Sequence, residues 1–477
     1  MDRIVSNINP QQLCNVALGF HERGELGEAE RLYLQVLGAK PAAPPKVQFA
    51  ARHMLGIIRH QQGRQLEALE LIGEALQSEP GNGEVRSIYA QVLRALGRNQ
   101  EALEQFDKAL ASNPRMAKVW GARGILLWHL KRPQEALASF DKALSLDTKI
   151  AMVWSARGEA LHGLGQSDEA RICLQNALEL DPNHLKALST LGEVLCETGR
   201  IEDGFALFRR HAELKYGPAN AAHEKETPAK TRHDQEQSAY LGGVSTRDYR
   251  TTNGERLKGP AVNPANAGTE AANTWKTSRP QIVVIDNFLS QEALEALRRF
   301  CLGSTVWRRS YEDGYLGAMP EHGFAAPLLA QIAEELRAVF PAIFGEHPLC
   351  YLWAFKYDQK HSGIKLHGDM AAVNVNFWIT PDDANNNPER GGMIIWDVAA
   401  PADWDFEKYN GDIASNRAFV EGAGARPTII PYRANRAVIF DSDLFHETDE
   451  IDFKDGYENR RINVTLLYGR RPMARAG

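Results

Sequence analysis

Long hydrophobic runs and paired cysteines are missing from this sequence of 477 residues. No apolar run approaches the roughly eighteen residues that mark a transmembrane helix, so we expect no membrane span. The first residues, MDRIVSNINPQQL, contain no apolar core of signal-peptide length. The cysteines are scattered and none forms a C-x-x-C pair, which indicates reduced thiols in a reducing compartment. The sequence therefore predicts a cytoplasmic protein.

An excess of positive charge is also missing. Lysine and arginine together number 55 against 61 aspartate and glutamate, which gives a formal net charge of -6. A dedicated nucleic-acid binder usually carries a strongly basic face, so we expect no nucleic-acid partner. A chain of this length is expected to hold two or three domains.

A regular repeat occupies residues 9–216, where small residues recur every 34 positions in several registers. One register consists of Gly56, Ala90, Gly124, Gly158 and Gly192, and a second of Gly63, Gly97, Lys131, Gly165 and Gly199. Small side chains let two paired helices cross closely. Prolines such as Pro80 and Pro114 end their units, because proline cannot continue the hydrogen-bond ladder of a helix.

This pattern resembles the tetratricopeptide repeat, whose period is 34 residues. The resemblance implies an all-α solenoid of about six units, the last of them degenerate, as terminal units often are. Repeats of this family usually bind a peptide or protein on the concave face or mediate self-association, so we expect a protein partner or a homo-oligomer. The groove candidates are Lys118, Trp128, His129, Met152 and His162. Of these, Trp128 and Met152 are interpreted as core residues and the two histidines as solvated positions.

The composition changes over residues 217–280, which are rich in Ala, Asn, Thr, Gly and Glu and contain few large apolar side chains. Such a stretch lacks the apolar surface needed for a core of its own. We therefore predict a linker, partly disordered, between two separately folded halves.

The second half shows the pattern of many short β-strands. Apolar, β-branched and aromatic runs separated by Gly, Pro and Asn turns lie at 351–357, 373–380, 391–397, 426–432, 436–440 and 462–468. Such a succession indicates a sandwich or barrel of the jelly-roll kind. A strand at 281–286, a helix that begins after Ser290 and a helix at 326–340 should flank it. The stretch 403–419 is interpreted as an irregular loop.

Three residues in this half are candidate metal ligands. His367 and Asp369 flank Gly368, and His446 follows a predicted strand. Two histidines and one carboxylate on adjoining strands form a facial triad, which occupies one face of an octahedral Fe(II) and leaves the other face open. Glycine fits between the first two ligands, because a bulky residue would crowd the point on which they converge.

A basic residue follows on the last predicted strand. Arg461, Asn463 and Thr465 alternate and therefore share one strand face. A guanidinium group suits a carboxylate held through two hydrogen bonds. Arg460 would point to the opposite face, and the sequence leaves open which of the two arginines binds a carboxylate ligand.

Residues 281–470 resemble the double-stranded β-helix domain of Fe(II)/2-oxoglutarate-dependent dioxygenases. The order His-x-Asp, distal His, then Arg on the last strand is the order of this family. The run NRAVIFDSDLFHET resembles its prolyl hydroxylase and phytanoyl-CoA branches. The resemblance implies that His367, Asp369 and His446 bind Fe(II) and form the catalytic centre. The co-substrates would be O2 and 2-oxoglutarate, and the product a hydroxylated C–H bond.

The same resemblance assigns the co-substrate residues. It implies that Arg461 holds 2-oxoglutarate, with Asn463 and Thr465 on the same strand. Tyr357 lies ten residues before His367, where prolyl-hydroxylase-like members often have a tyrosine near the co-substrate. Loops in this fold usually build the substrate mouth, which makes Arg308, Arg309 and Tyr311 candidates for it; a solvated loop is the alternative.

The expected architecture is a tetratricopeptide solenoid at 9–216, a linker at 217–280 and a jelly-roll domain with flanking helices at 281–477. We expect a hydroxylase that acts on a peptide or protein recruited by the repeats. One alternative is a small-molecule hydroxylase of the same mechanism. Another is a repeat-based scaffold whose barrel only binds and does not catalyse.

Overall fold

The computed structural model describes residues 9–217, 227–311, 314–361 and 363–470. The chain divides into two compact units, Met1–Pro182 (unit 1) and Asn183–Gly477 (unit 2). The sequence predicted that the helical domain ends at residue 216, whereas this division assigns the last predicted repeat to unit 2. The reason is packing, because Ile201, Phe205 and Phe208 of that repeat are buried in one cluster with the strands and helices that follow.

Unit 1 consists of antiparallel helix pairs. The helices are α1 (Pro10–Glu22), α2 (Leu26–Leu37), α3 (Pro45–Gln61), α4 (Gln65–Ser78), α5 (Gly83–Ala95), α6 (Asn99–Ser112), α7 (Ala117–His129), α8 (Pro133–Leu146), α9 (Ala151–Gly163) and α10 (Ser167–Leu180). Each odd-numbered helix packs against the even-numbered helix that follows it. The predicted helical first half is confirmed.

The turn inside each helix pair needs a left-handed backbone conformation. Gly63, Gly97 and Gly165 have φ angles of 78°, 74° and 78°, which glycine adopts at little cost because it has no Cβ. Lys131 occupies the same register with a φ of 59°. The turn geometry is therefore kept even where the sequence has no glycine.

The other glycine register lies where the two helices of a pair cross. A Cβ atom added to Gly124 would lie 2.5 Å from the Phe140 ring, and one added to Gly158 would lie 2.7 Å from Leu174. These distances are too short for real carbon contacts, so the close crossing requires glycine.

Two of the predicted core residues behave differently. Trp128 is half-buried and its ring lies over Gly163, where an added Cβ would be 2.6 Å away. Met152 is 45% exposed, so the prediction that it fills the core is wrong. The spacing of the apolar residues alone did not reveal this exposure.

Unit 2 begins with two further helices and continues into a region rich in β-strands. Its helices are α11 (Leu185–Glu197), α12 (Ile201–Tyr216), α13 (Pro228–Tyr240), α14 (Thr269–Thr277), α15 (Gln291–Gly303), α16 (Pro327–Val339), α17 (Pro341–Phe344), α18 (Phe406–Gly411) and α19 (Ile413–Gly422). Across the described residues, no helix combines the length and apolar character of a membrane-spanning segment.

The strands of unit 2 form antiparallel sheets. They are β1 (Ile282–Ile285), β2 (Arg309–Ser310), β3 (Tyr315–Ala318), β4 (Leu349–Tyr357), β5 (Lys360–His361), β6 (Val373–Trp378), β7 (Met393–Ala399), β8 (Pro427–Ile430), β9 (Ala437–Asp441), β10 (Leu444–Thr448), β11 (Ile451–Asp452) and β12 (Ile462–Tyr468). The large sheet has the order β1-β9-β6-β12-β4-β3-β2, and smaller sheets have the orders β10-β7-β8 and β11-β5. The last strand in chain order, β12, therefore lies in the middle of the large sheet.

The large sheet is covered on both faces. On β12, Ile462, Val464 and Leu466 face a cluster shared with α15 and α16. The opposite face of the sheet, represented by Trp378, packs with Met393 of the three-stranded sheet. Burial on alternate sides follows from the two-residue period of a strand.

The predicted linker is packed over much of its length. Residues 227–280 include α13, and 218–226 lie outside the described residues. Gln237 of α13 is buried and donates to the backbone carbonyls of Leu302 and Ser304 at 3.2 and 2.9 Å. Ala261 and Val262 enter the main cluster of unit 2. This segment has few large apolar residues, which is why the sequence predicted a linker. Hydrogen bonds from buried polar side chains such as Gln237 hold it in place instead.

Beneath α13 lies a buried lysine. Lys356 of β4 is fully buried, and its Nζ lies 2.9 Å from the Tyr457 hydroxyl and 3.4 Å from His233 Nε2. The amine also lies 4.6 Å from the centroid of the Trp307 ring. Burial lowers the pKa of Lys356 well below its usual value and lowers that of His233 to about 3.

The stretch 403–419, interpreted as an irregular loop, is largely helical. It contains α18 and most of α19. Asp405 caps the first of these helices by accepting from the Lys408 N–H, and Asp412 caps the second by accepting from the Ser415 N–H. Both helices are short and lack a long apolar period, so little in the sequence indicates them.

Candidate metal centre

A short piece of antiparallel pairing brings the two histidines together. His367 and His446 form an isolated bridge. The N–H of His367 donates to the carbonyl of His446 at 3.0 Å, and the N–H of His446 donates to the carbonyl of His367 at 2.9 Å. Residues far apart in the sequence are thus held side by side by their backbones.

The three predicted ligands converge. His446 Nε2 lies 3.4 Å from Asp369 Oδ2, and His367 Nε2 lies 3.9 Å from Asp369 Oδ1. Their potential ligand atoms all lie within 4.8 Å of one another, and no other such group of three or more occurs among the described residues. Asp369 and His446 are 4% exposed.

The hydrogen bonds of the triad orient its donor atoms. His367 Nδ1 lies 2.7 Å from the Lys365 carbonyl, and His446 Nδ1 lies 3.0 Å from the Leu444 carbonyl. A carbonyl can only accept, so each Nδ1 carries the proton and each Nε2 keeps a free lone pair. The amide of Asn374 donates to Asp369 Oδ2 at 2.7 Å, which fixes the carboxylate in turn.

The pKa shifts of His367 and Asp369 suit the binding of a divalent cation. Burial lowers the pKa of His367 to about 4. Burial also acts to raise the pKa of Asp369, but the neighbouring His446, His367 and Asn374 outweigh it and leave that pKa below its usual value. Neutral imidazoles and an ionised carboxylate are the forms that bind metal. Two nitrogen donors and one carboxylate fit Fe(II) with open coordination positions.

Arg461 lines the same cavity as the triad. It is 2% exposed, and it donates to the carbonyls of Gly391 and Gly392 at 2.7 and 3.3 Å and to Asn463 Oδ1 at 3.1 Å. Its guanidinium carbon lies 5.0 Å from the centroid of the Tyr357 ring. Its partners in the described chain are thus neutral oxygens and aromatic faces, and its charge is not neutralised by an ion pair there.

Arg460 has a different environment. Its Nε donates to Glu236 at 2.8 Å, and its Nη1 pairs with Asp358. These carboxylates neutralise it on the side of α13, away from the cavity. Of the two arginines that the sequence left open, only Arg461 is among the residues lining the cavity.

The remaining predicted residues lie at or near this cavity. Asn463 and Thr465 line it, and Asn376 donates to Thr465 Oγ1 at 3.0 Å. Tyr357 is fully buried against Arg461 rather than lining the cavity, and its hydroxyl interacts with Arg461 and Thr448. A buried guanidinium without an ion pair, beside a buried hydroxyl, is a polar subsite that suits an anionic ligand.

The residues expected at a substrate mouth lie elsewhere. Arg308 is buried and donates to the Arg247 carbonyl at 2.9 Å. Arg309 lies over the ring of Tyr311, 5.1 Å from its centroid. None of Arg308, Arg309 and Tyr311 is among the described residues that line the cavity. A position in a predicted loop therefore did not indicate which residues line the cavity.

Sequence reasoning missed other residues at the site. Trp353 and Phe355 share the cavity-facing side of β4, and Glu447 follows His446 at the cavity wall. The two-residue period of the predicted strand at 351–357 could have identified both aromatic residues, because Tyr357 fixes which side faces Arg461. Asn374 carried no signal, because a single asparagine in a strand does not reveal its partner.

Models of the tetratricopeptide repeat match residues 90–149 and 151–184. The N-terminal half carries tetratricopeptide repeats. These matches cover the helical part of the chain and do not extend to the metal centre. No curated protein matches the sequence.

Several solved structures are similar to part of this chain. A thermophilic tetratricopeptide repeat protein of Thermus thermophilus is 23% identical, with a TM-score of 0.34 over 39% of this chain and 98% of its own. Pseudomonas aeruginosa pilF is 18% identical, with a TM-score of 0.38 over 44% and 93%. A repeat protein of Parabacteroides merdae is 21% identical, with a TM-score of 0.36 over 50% and 88%. Each likeness is limited to half of this chain or less.

Proposed function

We propose that unit 2 is an Fe(II)- and 2-oxoglutarate-dependent dioxygenase that hydroxylates a substrate C–H bond. One observation carries this proposal. The cavity that contains His367, Asp369 and His446 also contains Arg461, a buried guanidinium without an ion-pair partner in the described chain. A metal triad alone would suit many metalloproteins, whereas the added arginine supplies the anchor for an anionic co-substrate.

Each residue of the site would have a distinct role. His367 and His446 would present their Nε2 lone pairs to the metal, and Asp369 would contribute its carboxylate. Arg461 would hold the distal carboxylate of 2-oxoglutarate, and Tyr357 would support the Arg461 guanidinium with its ring and its hydroxyl. When bound, iron and 2-oxoglutarate supply oxygen activation, with succinate and carbon dioxide as by-products.

The protein would also control access of water and orientation of the substrate. Trp353, Phe355 and Met393 give the cavity an apolar wall, which excludes water from the reacting atoms and strengthens the electrostatic interactions there. The facing sheets and their shared cluster support a double-stranded β-helix as the fold of this unit.

The repeats in the other half of the chain support a proposal for the substrate class. Tetratricopeptide repeats are typical of protein-interaction scaffolds, so a peptide or protein recruited by the repeats is the proposed substrate. A small molecule is the second candidate. The presence of repeats also favours a different function, a scaffold in which unit 2 only binds a ligand.

The deciding experiment measures metal and turnover in one preparation. The full chain is purified without oxygen and loaded with Fe(II), and its metal content is determined. Succinate formation from 2-oxoglutarate is then followed with candidate peptides, and the products are analysed by mass spectrometry. We expect one metal-dependent activity that adds about 16 Da to the peptide, the mass of one oxygen atom retained from O2. Absence of metal binding, or metal binding without 2-oxoglutarate consumption under any condition, would favour the scaffold.

A further inference from the structure

The pair of short helices α18 and α19 forms hydrogen bonds with the metal-binding segments at three places. The first place is Gly368, which lies between two of the ligands. Its N–H donates to the Tyr409 carbonyl at 3.0 Å, and its carbonyl accepts from the Asn410 side chain at 2.9 Å. Both backbone polar groups of this residue are therefore satisfied by α18.

A second contact comes from α19. Asn416 is fully buried, and its side-chain amide donates to the carbonyls of Leu366 and Tyr409 at 3.3 and 3.0 Å. Leu366 directly precedes the ligand His367. One amide thus ties the start of the ligand segment to α18.

The third contact reaches the other histidine strand. Arg417 of α19 donates to both carboxylate oxygens of Glu447, at 2.7 and 3.2 Å. Trp396 Nε1 donates to the same carboxylate at 3.3 Å. Glu447 follows His446 and lines the cavity, so α19 is also joined to the second ligand strand. A bidentate pair of this kind fixes orientation as well as distance.

An apolar cluster joins the same segments. Leu366 and Phe445, which each precede a ligand histidine, are fully buried and pack with Tyr409 and Val420 from the two helices. Since the side chains of successive strand residues point to opposite faces, Leu366 and Phe445 point away from the metal site and into this cluster. The backbone segments that carry the two histidines therefore have the histidine rings on one face and this apolar cluster on the other.

From these contacts we infer that α18 and α19 form a clamp that fixes the metal ligands before metal binds, with Asn410 and Arg417 as positioning residues. The inference rests on the proposed function, because it assumes that the triad binds Fe(II). A ligand set held in place loses less conformational freedom on binding, and partners outside the ligands typically contribute roughly 10- to 100-fold to metal affinity.

The test uses Co(II) as the probe, because it binds the same nitrogen and oxygen donors and its visible absorption reports the ligand set. The full chain and the Asn410→Ala variant are titrated calorimetrically, and their spectra are recorded. We expect a dissociation constant at least about tenfold higher for Asn410→Ala, with a changed spectrum. Glu407→Ala, an exposed residue of the same helix, is the matched control and should bind as the unaltered chain does.

A double-mutant cycle tests the second positioning residue. Arg417→Met, Glu447→Gln and the combined variant are titrated in the same way. We expect each single change to raise the dissociation constant for Co(II). The combined change should raise it by less than the product of the two single fold-increases. Thermal unfolding of every metal-free variant separates loss of ligand geometry from loss of the fold.

The outcomes distinguish the two proposals. If the unaltered chain binds neither Co(II) nor Fe(II), the proposed function fails and the clamp fails with it. If the unaltered chain binds metal, and the Asn410 and Arg417 variants bind it equally well with unchanged spectra, only the clamp is overturned. A variant whose weaker binding is fully explained by unfolding at the assay temperature also counts against it.

Discussion

Unit 1 is built from contacts between neighbours in the sequence, whereas the candidate metal centre of unit 2 joins segments that lie far apart. Gly124 packs on Phe140 of the next helix, and the same contact recurs at Gly158 and Leu174. By contrast, His367 and His446 meet only through long-range pairing. In a repeat domain the same stabilising contact occurs several times along the chain. In the candidate metal centre each contact occurs once.

Removing a ligand should give the largest effect, because the described part of unit 2 holds no second group of this kind. For His446→Ala we expect metal affinity to fall by more than about 100-fold, since changes in outer partners alone cost up to that much. The measurement is Fe(II) content after anaerobic loading, together with succinate formation. His129→Ala, which alters an exposed histidine of unit 1, should leave both unchanged. Equal loss in the two variants would contradict the assignment.

Substitutions of the adjacent residues Arg460 and Arg461 should have different effects, one on stability and the other on co-substrate binding. For Arg461→Leu we expect the KM for 2-oxoglutarate to rise at least about 30-fold, because loss of a buried charged contact costs about 2 kcal/mol or more. For Arg460→Leu we expect a KM change of less than about threefold, and a loss of about 2 kcal/mol in the free energy of unfolding, because Glu236 and Asp358 lose their partner. Kinetics and urea unfolding measure these quantities. Equal changes in KM would mean that the strand register is wrong by one residue.

Substitutions in unit 1 should have smaller and purely structural effects. Gly124→Ala forces a methyl group into the Phe140 ring, and we expect it to cost about 1–3 kcal/mol. Gly73→Ala is the matched control, because its added Cβ would meet Tyr89 at an ordinary 3.5 Å. That change should stabilise the helix by about 0.5–1 kcal/mol. Urea unfolding measures both, and metal affinity should be the same in both variants. A neutral Gly124→Ala would contradict the tight crossing.

The buried lysine should give the smallest effect at neutral pH. Lys356 is more easily deprotonated in the folded than in the unfolded chain. Between the lowered folded pKa and the ordinary value of about 10.4, the unfolded state binds more protons, so stability should rise with pH. Lys356→Met should abolish this rise and change stability at neutral pH by no more than about 1 kcal/mol.

The control for this prediction is Lys360→Met, which alters an exposed lysine and should keep the rise. Thermal or urea unfolding at several pH values measures the difference. If the free energy of unfolding of the Lys356 variant still rises with pH by the same amount, another group must be the one that titrates. His233, Tyr457 and Cys301 face the amine and are the groups to examine next.

The periodic features were predictable from the sequence because they are local. The 34-residue registers predicted the close helix crossings, and Lys131 was recognised as a member of the register that the structure places in the turns. The last strand was predicted at 462–468, the bounds that β12 has in the structure. Its two-residue period was enough to put Arg461 and Asn463 on the same side.

Features that depend on long-range polar contacts were not predictable. The hydrogen bonds of Gln237, Asn374 and Asn416 connect segments whose proximity exists only after folding. Composition could not reveal that 227–280 packs, because its anchors are single polar side chains rather than apolar runs. The same limit hid α18 and α19, whose importance lies in what they contact.

The central position of β12 has a consequence for synthesis. Strands β6 and β4 both pair with β12, so each exposes an unpaired edge until residues 462–468 have left the ribosome. About 100 residues separate the end of β4 from β12, a delay of roughly 5–20 s at usual elongation rates. Unit 1 has emerged long before then, and its helix pairs need nothing that comes later. During that interval the nascent chain carries a folded solenoid followed by open strand edges, which are the surfaces most prone to mispairing with other chains.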